Sequence, residues 1–156
     1  MAFLRKSMGA VLALGLLAAA GQASAADVKV SALNELVHKW TAEMNAGHTQ
    51  AFFAYCAPHV AVVDGFPPYA WDTCQAWMRD YDANNRRIKA PRGTLTIGEP
   101  LWTDVNGNRA LLTYNAVFTD VQDGKAVTYK GMWAVSLVHG KRGWLVTGSG
   151  STWRVD

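Results

Sequence analysis

HVAVVDGFPPYAW, residues 59–71, holds a single acid inside an apolar and aromatic run. His59–Val63 has the β-branched, apolar composition of a short buried strand, and the Gly-Phe-Pro-Pro-Tyr that follows Asp64 is turn material. Asp64 therefore falls where a strand ends among aromatic rings. Two readings of it stand side by side. Burial against Phe66, Tyr69, Trp71 or Trp133 would raise its pKa toward that of a general base. Alternatively the carboxylate serves the turn, accepting the backbone N–H groups of Gly65 and Phe66.

Upstream of this strand the apolar period is helical. Leu33, Leu36, Val37, Trp40 and Met44 form one stripe at spacings of three and four, with Ser31 placed to cap its start and Gly47 its end. Thr49 opens a short second helix, QAFFAYCA, which Pro58 stops because its ring and missing N–H cannot continue one. Downstream, Asp72 with Gln75 three residues on forms a capping-box-like start to a third helix, about Thr73 to Arg87, whose apolar face is Trp77, Met78 and Tyr81. The polar run NNRRIKAPRG closes the helical half.

From Thr94 the period changes to two. Turn signals at 106–108 (NGN), 123–125 (DGK) and 139–143 (HGKRG) divide the remainder into four strands of an antiparallel meander. Alternation puts Leu112, Tyr114, Ala116 and Phe118 on one face of one strand, and Tyr129, Gly131, Trp133, Val135 and Leu137 on one face of the next. The pattern does not say which parity points inward. If these rows do, Tyr114, Tyr129 and Trp133 line whatever the sheet encloses. The expected architecture is α+β: three N-terminal helices packed on a curved antiparallel sheet that forms a cone-shaped cavity.

The first 25 residues are set apart. Arg5 and Lys6 precede the apolar stretch MGAVLALGLLAAA and then GQASA, the pattern of a secretory signal peptide cleaved after Ala23-Ser24-Ala25. A single domain over residues 26–156 is expected, exported and most simply periplasmic, with no membrane association after cleavage. Of the 15 basic residues two lie in this leader, so the mature part carries 13 against 12 acids. So nearly neutral a domain is a poor binder of nucleic acid. All seven tryptophans, Trp40, Trp71, Trp77, Trp102, Trp133, Trp144 and Trp153, belong to it, and large rings both build cores and line cavities. Cys56 and Cys74 are the only cysteines. In an oxidising compartment they form either a bridge, with a contribution of about 3 kcal/mol, or a pair of small buried thiols. No two histidines stand at helical metal spacing and no Cys-x-x-Cys occurs, so no metal and no cofactor is expected. Ser149 and Ser151 lack the strand-turn-helix setting of a nucleophile elbow, and small residues there suit close approach of a ligand or a neighbouring chain.

The order of these elements resembles the nuclear transport factor 2 superfamily, including its ketosteroid-isomerase-like and SnoaL-like members. The marks are WTAEMNAGHTQAFFAYCAPHVAVVDGFPPY (40–69) and the Gly-Lys-Arg-Gly-Trp-Leu-Val turn into the last strand. The resemblance spans the mature chain. It implies a homodimer and a pocket for a small apolar organic molecule, and it places Asp64 on the general base of the isomerases. The candidate substrate contacts in such a pocket are Trp40, Phe66, Tyr69, Tyr114, Tyr129 and Trp133. The isomerases' oxyanion pair is not matched: the first-helix tyrosine position falls on Trp40, and the late-strand acid near Met132 or Trp133. The expected function is therefore small-molecule binding with Asp64 as the main polar contact. The alternatives are a cofactor-independent isomerase, cyclase or dehydratase using Asp64 as base, and a non-catalytic dimerisation module.

Overall fold

The computed structural model describes residues 29–122 and 124–155. The expected signal peptide and its cleavage site lie outside them. Helix α1 spans Val30–Ala46 and buries Leu33, Val37 and Trp40. It starts one residue before Ser31, at an N-cap, Lys29, that makes no side-chain bond. Packing of the apolar stripe, rather than a cap, sets this end. Gly47 closes the other end at φ 72°, its N–H donating to the Met44 carbonyl at 3.1 Å; the left-handed conformation explains why glycine stands there.

Helix α2 is only Thr49–Ala54, and strand β1 begins at Cys56 rather than His59. Pro58 thus sits inside the strand and does not act as the helix stop. The chain turns earlier, at Tyr55. Strand β2 is Ala70–Trp71, and α3 runs Cys74–Ile88. The cap of α3 is Thr73, whose hydroxyl accepts the Ala76 N–H at 3.1 Å, and not Asp72. The reading from spacing was displaced by one residue because two adjacent side chains both suit an N-cap. Cys56 and Cys74 are joined as a disulfide, which ties the start of α3 to the start of β1.

Strands β3 (Thr94–Asn106), β4 (Arg109–Gln122), β5 (Lys125–Gly140) and β6 (Gly143–Val155) form the expected meander. The sheet continues beyond it, in the order β2-β1-β6-β5-β4-β3. β1 runs parallel to β6, so the sheet is mostly, not wholly, antiparallel. That pairing is invisible to hairpin logic, because the two strands lie at opposite ends of the chain.

Register decides the parity left open by the alternation. Leu112 faces Val135, Tyr114 faces Trp133, and Ala116 faces Gly131, all on the helix side. Between the large pairs Tyr114/Trp133 and Phe118/Tyr129 comes the small pair Ala116/Gly131. A Cβ on Gly131 would sit 1.7 Å from the Thr152 carbonyl oxygen, so only glycine permits the approach of β5 to β6 there.

Candidate functional site

A cavity of about 500 Å³ lies between α1, α3 and the inward rows of the sheet. Its wall is dominated by a continuous belt of rings. Trp133 stacks on Trp40 at 5.5 Å and Trp40 on Phe52 at 5.1 Å. Phe52 meets Trp77 at 5.9 Å, and Trp77 stacks on Tyr81 at 5.2 Å. Tyr81 meets Phe66 at 6.1 Å. A second group, Phe118 with Tyr129 and Trp153, lines the part nearer the β4–β5 turn.

Asp64 follows the last residue of β1 and faces this space. Its Oδ1 accepts the Gly65 N–H at 2.7 Å, and its Oδ2 accepts the Trp77 indole N–H at 3.0 Å. The carboxylate serves the turn through Gly65, though not through Phe66, and it is also desolvated. Burial among the rings raises its pKa; the two N–H bonds, which favour the charged form, pull it back. Burial prevails, so the proton is held more tightly than by an ordinary aspartate.

Trp40, Phe66, Tyr129 and Trp133 line the same cavity. Two other residues expected there do not. Tyr69 lies in the turn at φ 73°, 57% exposed and outside the lining. The chain reverses so tightly that its ring is thrown to solvent. Tyr114 is fully buried, and its hydroxyl donates to Asn34 Oδ1 at 3.1 Å. The Asn34 amide in turn donates to Glu99 Oε2 at 2.9 Å, so the ring is a closed part of the core under α1.

The wall also contains Ser149 and Ser151 of β6, read from sequence as allowing close approach, and residues not singled out for binding: Trp77, Tyr81, Asn84, Asn85 and Ile88 of α3, with Trp153 of β6. A signal for the α3 group existed. Trp77, Tyr81, Asn84, Asn85 and Ile88 continue one helical stripe, and amides on a stripe that begins as buried rings mark a polar lining. Ser149 accepts the Trp133 indole N–H at 2.8 Å. The Trp40 indole N–H is buried without a hydrogen-bond partner. Tyr81 receives the Gly93 N–H on its hydroxyl at 2.9 Å, and burial pushes that hydroxyl's pKa up. Among the described residues no cluster of His, Cys, Asp or Glu has the geometry to hold a metal ion.

No family model matches the sequence, and no curated protein matches it. Solved structures do match. A nuclear transport factor 2-like superfamily protein from Salmonella enterica serovar Typhimurium superposes with a TM-score of 0.67 at 13% identity, covering 81% of this chain and 91% of that one. The CaMKII hub of S. rosetta gives 0.66 at 17% identity, over 80% of this chain and 95% of that one. A nuclear transport factor 2-like protein with a cystatin-like fold from Novosphingobium aromaticivorans gives 0.63 at 14%, over 78% and 79%. Identities this low speak for architecture alone, and the architecture of this chain is the nuclear transport factor 2-like fold.

Proposed function

We propose that this is an exported protein that binds a small, largely apolar organic molecule in the ring-lined cavity, with Asp64 as its principal polar contact. The observation that carries the reading is the placement of one desolvated carboxylate in the wall of an aromatic space of about 500 Å³, a volume within the usual range for organic ligands. A carboxylate with no ligand to serve would be more stable turned to solvent. Export rests on the sequence of residues 1–25 alone.

A second reading, proton transfer by Asp64, is favoured by its raised pKa and by Trp40. A base that abstracts a proton next to a carbonyl needs a donor for the developing negative charge. The buried Trp40 N–H is the one such donor in the belt lacking a partner among the described residues. A third reading is assembly: Trp102 and Met132, 53% and 51% exposed, stand on the outer face of the sheet, where a second copy would pack.

Native mass spectrometry of the protein recovered from its own cells tests the binding reading. A retained organic molecule, lost in a variant whose cavity is filled by Ser149→Phe, is the expected result. A dimer with an empty cavity, indifferent to small apolar compounds, would overturn it in favour of an interaction module. Following the Asp64 carboxyl by NMR, assigned with Asp64→Asn, then separates a desolvated carboxylate from a simple turn residue: only the former titrates above the reference of about 3.9.

A further inference from the structure

From the charges and rings of the wall, we infer that the cavity selects an organic cation, an amine or quaternary ammonium on an apolar body, which seats its positive centre between Asp64 and the rings of Trp77, Tyr81 and Phe66. The inference rests on the binding reading above and specifies its ligand class.

Three observations support it. First, every charged side chain in the lining is acidic: Asp64 and Asp120 are there, and among the described residues no Lys, Arg or His is. Arg92 approaches the Tyr81 ring, 5.4 Å from its centroid, but it is paired with Asp82 and lies outside the lining. An anionic ligand would meet two carboxylates and no counter-charge. Secondly, Asp64 is held by two N–H donors and no cation. A neutral ligand would leave a desolvated charge unpaired, whereas a monocation supplies the missing partner where the local dielectric is low. Thirdly, the rings around the carboxylate form a linked group, with Trp77 bonded to it through its indole nitrogen and stacked on Tyr81, and Tyr81 in contact with Phe66. Rings packed beside the carboxylate keep the local dielectric low, which strengthens its pairing with a cation.

Asp120 has a different task. On β4 it stands opposite Val127, and Tyr114 stands opposite Trp133. Six residues of strand therefore separate Asp120 from the Tyr114 row, about 20 Å at the usual rise per residue. Along the strand it is remote from the Tyr114 row, but it lines the same cavity and its charge reaches the Tyr81 hydroxyl, so it adds to the negative field that draws a cation in.

The test uses three probes of one shape, with binding read by tryptophan fluorescence and calorimetry: benzyltrimethylammonium, its uncharged carbon isostere neopentylbenzene, and the anion 3-phenylpropanoate. The expected result is that the cation binds about tenfold or more tightly than the neutral isostere and the anion does not bind. In Asp64→Asn the cation's advantage should collapse while the isostere binds as before. Asp120→Asn should leave the ranking intact and weaken the salt dependence of the association rate. If neopentylbenzene binds wild type as well as the cation does, the cation inference falls and the pocket reading stands. If none of the three binds, both fall. The wild-type comparison alone decides between these outcomes, so it does not depend on the variants folding.

Discussion

Two carboxylate-bearing regions of this molecule sit against buried aromatic rings and have opposite characters. Under α1, the buried Tyr114 hydroxyl donates to the buried Asn34, whose amide donates to the exposed Glu99, and none of the three borders the cavity. At the tip of β1, Asp64 takes two N–H bonds, retains acceptor capacity, and faces an open cavity. In the first group Tyr114 and Asn34 bond within the core and border no cavity, so they contribute to stability. The second is held in a setting that costs stability and leaves it free to act. A polar group in a core is informative about function when its bonding is incomplete and there is room in front of it.

That contrast is broken most severely by Tyr114→Ala. Removing a fully buried ring and its hydroxyl bond should cost about 3–5 kcal/mol in urea unfolding, while folded variant at low temperature binds the cavity's ligand as wild type does. A variant that folds normally and loses binding would instead make Tyr114 part of the site. Asn34→Ala is the milder form. It leaves the Tyr114 hydroxyl buried without an acceptor, at a cost of about 1–3 kcal/mol and again with no effect on binding.

Asp64→Asn acts in the other direction. Burial raises the folded-state pKa of Asp64 above its unfolded value, so ionisation works against the fold. The stability it contributes is present below about pH 4 and lost as pH rises through the higher folded value. The asparagine variant does not suffer that loss. It should therefore gain on wild type between about pH 4 and pH 7 in paired urea titrations; a relative loss over the same range would mean that the Gly65 and Trp77 bonds outweigh burial.

The smallest effect concerns Trp77→Phe, which keeps a ring but deletes the indole donor to Asp64 Oδ2. Since that bond favours the charged carboxylate, its loss should move the Asp64 midpoint further upward in an NMR titration. An unchanged midpoint would assign the restraint to Gly65 alone.

How much of this was visible beforehand differs by element. The four long strands were, because period-two alternation between Gly-containing turns is a local property of the chain. So was the stripe on α1, and so was Asp64, whose position between an apolar run and a Pro-containing turn singled it out. Pro58 misled, since a proline says only that a helix cannot pass and not where the preceding one ends. Tyr69 and Tyr114 misled for separate reasons. A residue in a tight turn can face either way, and a residue on an inward row can be core or lining depending on what packs above it.

By itself the sequence determined the element order, the alternation that makes each strand two-faced, and the lone acid at the end of β1, because these depend on neighbours a few residues apart. Only the tertiary structure decided the rest. It set the parallel pairing of β1 with β6, the disulfide between Cys56 and Cys74, the closure of Tyr114 against Asn34, and the convergence of α3's rings and amides on Asp64. Each of these joins residues distant along the chain, and which of them meet is settled by packing of the whole core rather than by any local preference.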